Sequence, residues 1–293
     1  MTSILLTGPS GQVGRELLNA LAPLGSVVAP SRTALDLADP DALRATVREI
    51  KPSIIVNAAA HTAVDKAETE PALAAQINTT APEVLAAEAG RCGALLIHYS
   101  TDYVFDGGKT TPYAETDATR PLSVYGHSKL AGEHAIATSG CRHLILRTSW
   151  VYSASRSNFV LTMLKLAQER SELAVVTDQI GSATSAKALA QSTLALLQQV
   201  AAGNTATGLY HLTASGSASR HELVRRMIEL AREAGRGTAW ARLRTAKMAD
   251  FPLPAARPPY SVLDNAKILR DFGIEMPSWD AQLREFLSEL PGV

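Results

Sequence analysis

The chain has 293 residues, and its 28 Lys and Arg are matched by 28 Asp and Glu. That zero balance argues against a general nucleic-acid or membrane-surface binder, since both need a basic field. A hydrophobic content of 46% with 19% charged residues is ordinary for a globular protein, and the length allows one large domain or one and a half. Two cysteines, Cys92 and Cys141, form neither a CxxC nor a disulfide framework, which fits a reducing cytoplasm. No apolar run reaches membrane-spanning length, and Ile4-Leu5-Leu6 is too short for a signal segment.

Ser3–Thr7 is a short apolar run, as expected of a parallel strand buried on both faces. Gly8, Gly11 and Gly14 follow at once, and then Val13, Leu17, Leu18 and Leu21 recur at helical spacing through Gln12–Leu24. Strand, glycine turn and helix in this order form a dinucleotide-binding signature. The glycines allow a tight turn, and the helix start offers free N–H groups to a pyrophosphate. Val27–Ala29 reads as a second strand, ending in Pro30-Ser31-Arg32 with no acid to bind ribose hydroxyls. Ser31 and Arg32 suit a 2′-phosphate instead, so NADPH is favoured with NADH still admissible; the alternative is that Arg32 is a solvated turn residue. Asp39 caps a helix with Pro40 at its first position, running to about Ile50. Ile54–Val56 is a third strand ending in Asn57, read as structural, and in small residues that admit a cofactor.

His61 has no second His or Cys at metal-ligand spacing, which excludes a zinc reading. Pro71–Arg91 reads as one long helix, and Ala94–Tyr99 as a fourth strand that delivers Ser100-Thr101-Asp102 to its carboxyl end, where open α/β sheets bind ligands. A polar loop over 103–121 leads into a helix that starts after Pro121 and carries Tyr125 and Lys129. Four residues apart, these two lie on one helix face, one turn from each other. An ammonium there favours the phenolate, and lowering a Tyr pKa from about 10 to near neutrality takes about 4 kcal/mol. Leu144–Arg147 is another strand, ending at Trp150. Beyond it come helices over Asn158–Glu169, Thr184–Gln199, Ser219–Ala234 and Asp280–Glu289, strands at Leu173–Val176 and Leu209–Leu212, and a Pro-, Arg- and aromatic-rich stretch at 235–262 that suits a lid, the alternative being a proline-stiffened structural loop. The fold expected is α/β: a doubly wound parallel sheet of the Rossmann type with a smaller mixed C-terminal substrate unit. Residues 1–150 with about 184–212 form the first unit, and about 151–183 with 213–293 the second.

TGPSGQVG at 7–14, the strand-end Ser100 and Thr101, and the Tyr125/Lys129 pair resemble the extended short-chain dehydrogenase/reductases. NAAAHTAVDKAE at 57–68, YSTDYVFDG at 99–107, PLSVYGHSKLAGE at 121–133, RTSWVY at 147–152, DQIGSATSA at 178–186 and RPPYSVL at 257–263 resemble one branch, the dTDP-4-dehydrorhamnose reductases, over nearly the whole chain. The resemblance implies NAD(P)H-dependent reduction of dTDP-6-deoxy-L-lyxo-4-hexulose to dTDP-L-rhamnose. It implies Tyr125 as proton donor, Lys129 on the nicotinamide ribose lowering the Tyr pKa, and Thr101 tuning Tyr125. Thr101, Asp102 and Trp150 then contact the sugar and Arg257 the diphosphate. Gly8, Gly11, Gln12, Val13 and Gly14 bind the pyrophosphate, Asp36 and Leu37 flank the adenine, and Ala60, His61 and Thr62 line the cofactor. Two departures stand out: Ala183 replaces a usual Pro, and Lys187 stands where some members have a carboxylate that, with a residue such as Glu16, holds magnesium between subunits. A cation there opposes a metal, so the expectation is no metal, and a monomer or a homodimer without that site. The alternatives are another nucleotide-sugar enzyme of the epimerase or dehydratase type, which retains NAD+, or a non-catalytic NADP-binding regulatory subunit.

Overall fold

In the computed structural model, which describes residues 2–237 and 239–290, β1 (Thr2–Thr7) is buried from Ile4 to Thr7. Its neighbours follow in chain order: α1 (Gln12–Leu21), β2 (Gly25–Val28), α2 (Pro40–Ile50), β3 (Ile54–Asn57), α3 (Val64–Ala67), α4 (Pro71–Ala75), α5 (Ala81–Cys92), β4 (Leu95–Thr101), α6 (Val124–Thr138) and β5 (His143–Thr148). After β5 come α7 (Phe159–Glu169), β6 (Glu172–Val176), β7 (Ile180–Gly181), α8 (Ala186–Ala201), β8 (Gly208–His211), β9 (Ala218–Ser219), α9 (Arg220–Glu233), β10 (Arg242–Ala246), α10 (Ala266–Phe272) and α11 (Trp279–Glu289). Residues 1, 238 and 291–293 of the two expected units lie outside the described residues.

The central sheet has six strands in the order β2-β1-β3-β4-β5-β8, every neighbouring pair parallel. The chain winds one way from β1 to β2 and the other way from β3 onward. The switch point therefore lies between β1 and β3, where a crevice opens at the carboxyl ends. Strand alternation divides the apolar side chains between two faces. Ile4, Leu6, Ile97, Leu144 and Leu146 join α1 and α8 through Leu17, Leu21, Leu189 and Leu196. Leu5, Ile55, Leu96 and Ile145 face α2, α5 and α6 through Leu43, Val47, Leu85 and Ile136. A third cluster joins α7, α9 and α11 through Leu164, Leu223, Met227, Leu283 and Phe286. Ile268 and Phe272 of α10, in the stretch expected to belong to the second unit, pack with the sheet layer.

The helix starts follow their capping residues. Asp39 accepts from the backbone of Asp41 and Ala42 at α2, and Asn158 from Leu161 at α7. Ser219 and Glu222 form a reciprocal capping box at α9. The helix expected over Pro71–Arg91 is instead α4 and α5 joined by a π-helical turn at Gln76–Thr80. Pro82 is the cause: it has no N–H, and its ring excludes the carbonyl four residues back, which is Asn78. That carbonyl turns toward α6, where a Cβ on Gly132 would lie 2.2 Å from it. The Ala183 departure leaves no slack, because Ser182 O accepts from Ser149 Oγ at 2.6 Å and Tyr152 N donates to Thr184 O at 3.1 Å.

Candidate active site

A cleft of about 470 Å³ opens at the switch point. Its floor is the turn after β1. Gly8 has φ +69°, and Gly11 N closes the turn on Gly8 O at 2.9 Å. A Cβ on Gly14 would lie 1.9 Å from Gly8 O, so Gly14 permits the helix to pack on the turn rather than lining the cleft. Helix α1 has no acid in its first turn and no side-chain cap at Gly11, which leaves its first N–H groups available to an anion. Gln12 Nε2 donates to Val151 O at 3.4 Å and Arg156 to Ser10 O at 3.2 Å, so the segment after β5 closes over the turn.

Of the sequence-predicted cofactor residues, Gly8, Gly11, Gln12, Val13, Arg32, Asp36, Leu37, Ala60, Thr62, Tyr125 and Lys129 line this cleft. Gly14, Ser31 and His61 do not. Ser31 instead bonds Thr33 Oγ1 at 2.8 Å, closing its own turn, and the His61 ring lies 3.2 Å from Glu70 Oε2. Asn57 bridges strands through its side chain: Thr7 Oγ1 donates to it at 2.6 Å, its amide lies 3.0 Å from His98 Nδ1, and Ala59 N donates to its Oδ1 at 3.4 Å.

Lys129 is 1% exposed. Its Nζ donates to Tyr99 O at 2.6 Å and lies 3.1 Å from His98 Nε2. Burial lowers its pKa to about 8, against the pull of Glu133. Burial and the Lys129 charge hold His98 well below the usual imidazole range. Glu133 is itself clamped by Arg147, Nε to Oε1 at 2.9 Å and NH2 to Oε2 at 2.6 Å. The expectation that Lys129 lowers the Tyr125 pKa requires correction. Burial pushes the Tyr125 phenol up, and the group that pulls it down is the Thr101 hydroxyl. The ammonium has found its acceptor in a strand-end carbonyl, because a desolvated cation needs one.

Thr101, Asp102, Trp150 and Arg257 do not line the cleft; they belong to a second wall. Thr101 Oγ1 donates to Asp102 Oδ1 at 3.2 Å. Asp102 Oδ2 has no hydrogen-bond partner among the described residues, and burial raises the Asp102 pKa to about 6. Trp150 holds a left-handed backbone at φ +47°, with its ring on Gly181, where a Cβ would come within 2.6 Å of it. Arg257 is tied to Asp65, NH2 to Oδ2 at 2.7 Å and NH1 to Oδ1 at 3.1 Å. Tyr103 meets Tyr125 edge-on with ring centroids 5.5 Å apart.

Sequence reasoning missed His98, Gln179 and Arg220. Arg220 lies with its guanidinium carbon 3.5 Å from the Trp150 ring centroid and 4.4 Å from that of Phe159. One signal was present: a cation directly after the cap Ser219 opposes the helix dipole, a mismatch that points to an anion nearby.

The family described as "RmlD substrate binding domain" matches residues 1–291. The dTDP-4-dehydrorhamnose reductase of Escherichia coli (strain K12) is 47% identical over 292 residues, 98% of each chain. A crystal structure of such a reductase from Clostridium acetobutylicum superposes with a TM-score of 0.90 at 35% identity, over 98% of this chain and 99% of that one. One from Bacillus anthracis, in complex with NADP, gives 0.89 at 34% identity over 99% and 100%. With the profile matched over nearly its whole length, the chain belongs to the dTDP-4-dehydrorhamnose reductase family.

Proposed function

We propose that the chain reduces the 4-keto group of dTDP-6-deoxy-L-lyxo-4-hexulose to dTDP-L-rhamnose with NADPH, NADH remaining admissible. The observation that carries this reading is that Tyr125 and Lys129 stand on the same cleft as the Gly8–Val13 turn. The residues fit a phosphorylated dinucleotide. The uncapped start of α1 suits its pyrophosphate, and Arg32, exposed on the cleft rim with no ion pair among the described residues, suits a 2′-phosphate. When bound, NADPH supplies the hydride that reduces the ketone carbon.

The chain's own part is placement and proton supply. Lys129 donates one N–H to Tyr99 O and has another for the nicotinamide ribose. Tyr125, kept protonated at neutral pH by burial, gives its proton to the sugar oxygen as charge develops there. The Thr101 hydroxyl steadies the phenolate that remains by turning its one proton from Asp102 Oδ1 to the phenolate oxygen. Asp102 and Trp150, each with a buried polar atom lacking a partner, hold the sugar; Arg257 stands at the diphosphate end.

Residues 1–150 with about 184–212 serve as the cofactor unit, and about 151–183 with 213–293 as the substrate unit, apart from α10, whose Ile268 and Phe272 pack with the sheet layer. No helix among the described residues is long and apolar enough to cross a membrane, and the setting we infer is the cytoplasm, in keeping with the free thiols Cys92 and Cys141. The assembly we infer is a monomer or a homodimer without magnesium between subunits, because Lys187 already pairs with Glu285 at 2.8 Å and with Glu289.

The test is NADPH consumption with the 4-keto sugar nucleotide. Tyr125→Phe is expected to lower turnover by about 100-fold or more, with NADPH affinity unchanged. Turnover near that of the parent protein removes Tyr125 from the proton step.

A further inference from the structure

The second wall holds a cation that no carboxylate meets in an ion pair among the described residues. Arg220 Nε donates to Gln179 Oε1 at 3.1 Å, and Arg220 N donates to Gln179 O at 3.1 Å, so one side chain and its backbone fix both ends of the residue. The guanidinium plane is held against Trp150 and Phe159. Its two terminal amino groups meet no acceptor, and no carboxylate lies within ion-pair distance, among the described residues. Asp102 and Tyr103 are close enough to act on it electrostatically, and so is Arg257, a second cation. Arg257 spends its fork on Asp65, whereas Arg220 spends only Nε, on Gln179, among the described residues.

A half-buried cation held over two aromatic rings, with its terminal amino groups open, is a receptor for a bidentate oxyanion. Stacking on two rings fixes its rotamer in advance, so little side-chain freedom is lost on binding. Arg220 also occupies the first position of α9, where the helix dipole disfavours a positive charge and favours an anion beside it. The cofactor's phosphates belong to the other wall, since Arg220 is not among the residues that line the glycine-turn cleft.

We propose that Arg220 is a specificity-determining residue that grips the diphosphate of the nucleotide-sugar substrate, with Trp150, Phe159 and Gln179 as the frame that presents its fork. The proposal rests on the reductase reading given above, because that reading supplies the diphosphate. It adds that affinity for the nucleotide depends on this guanidinium, and that Arg257, latched to Asp65, is the lesser contributor.

The experiment is calorimetric titration of the full chain, saturated with NADP+, with dTDP and separately with thymidine. The parent protein is expected to bind dTDP far more tightly than thymidine. Arg220→Gln is expected to weaken dTDP by about 10- to 100-fold, the range of a lost charge-assisted pair, with thymidine and NADPH affinities within twofold of the parent. Arg220→Lys, which keeps the charge and loses the fork, is expected to fall between the two. In steady state the loss appears in KM for the sugar nucleotide rather than in kcat. Unchanged NADPH affinity shows that the variant is folded; if Arg220→Gln fails that check, Arg220→Lys and Gln179→Ala carry the same comparison. Retention of the dTDP advantage in folded variants overturns the role of Arg220 and leaves the reductase reading intact. A parent protein that reduces the keto sugar but binds dTDP no better than thymidine overturns diphosphate recognition alone. A parent protein that neither binds dTDP nor reduces the keto sugar overturns both.

Discussion

Asp102 is the residue at which function costs the fold something measurable. It is 2% exposed, one of its oxygens has no hydrogen-bond partner among the described residues, and the groups that face it are the hydroxyls of Thr101 and Ser261 and the Arg220 guanidinium. Burial raises its pKa to about 6 despite all three. In the unfolded chain an Asp titrates near about 3.9. Between about pH 4 and pH 6 the folded protein therefore holds a proton that the unfolded chain has released. Stability contributed by this group is fully present below about pH 4 and is lost as pH rises to about 6. The displacement corresponds to about 3 kcal/mol at most. Asp102→Asn, which keeps the shape and cannot ionise, is expected to be more stable at neutral pH by on the order of 1–3 kcal/mol in urea unfolding, with the gain vanishing at pH 4. Equal stabilities at neutral pH would show that the carboxylate is solvated in the native state. If Asp102 holds the sugar as proposed above, turnover is expected to fall in the same variant, since the carboxylate left without a partner is then the acceptor for a sugar hydroxyl.

The break between α4 and α5 shows how an element serves the site from outside it. Pro82 frees the Asn78 carbonyl, and the Asn78 side chain then pins the segment beside the cleft: His61 N donates to its Oδ1 at 2.8 Å, and its Nδ2 donates to His61 O at 3.1 Å and to Ser128 Oγ at 3.0 Å. Helix α6 can approach only because position 132 is glycine. Gly132→Ala would set a methyl 2.2 Å from a backbone oxygen, which cannot swing aside as a side chain can. We expect it to cost at least about 1–3 kcal/mol, a fall of several degrees in Tm, and to weaken NADPH binding through the displaced His61 segment. Gly90→Ala in α5 is the control. Its Cβ meets Cys141 Cβ at 3.7 Å, an ordinary contact, and replacing a helical glycine there should be neutral or stabilising by about 0.5–1 kcal/mol. Indistinguishable Tm values for the two variants would mean that the helices are free to separate.

The same elements show what could be read from the chain and what could not. Buried strands announced themselves as apolar runs, the phosphate-binding turn as three glycines between a strand and a helix, and the helix starts as Asp39, Asn158 and Ser219. Each signal is local, since the cause lies within a few residues. The π-helical turn was also local, but the apolar periodicity around it continued in phase and concealed the effect of Pro82. The second wall is different in kind. Trp150 follows β5, Gln179 precedes β7 and Arg220 opens α9, so tertiary packing alone brings them together. Nor does the sequence mark Trp150 as left-handed; Gly181, which makes room for its ring, is 31 positions away. The direction of the Lys129 ammonium escaped for the same reason: its acceptor is a carbonyl on a separate strand.

At the scale of the whole molecule, α8 joins the layers. Its apolar face packs with α1 and the sheet, while Lys187 near its start reaches α11 and pairs with Glu285 and Glu289. Those carboxylates raise the Lys187 pKa, so the ammonium persists through and above neutral pH. A divalent ion brought to this corner would meet a fixed positive charge, and the carboxylates that might ligate it are already engaged. Glu16, on α1, is then left without the companions that a metal bridge between two chains requires. We therefore expect the sedimentation mass and the Tm to be the same in chelator and in millimolar magnesium. Dissociation on adding chelator, or a rise in Tm with magnesium, would contradict this charge argument directly. Lys187→Glu supplies the converse: it removes the cation and adds a third carboxylate to Glu285 and Glu289. That variant should lose stability in chelator, where like charges crowd one corner, and recover it with magnesium. A metal response that appears only after this substitution would show that one side chain decides whether the α8–α11 corner is closed by an ion pair or open to an ion.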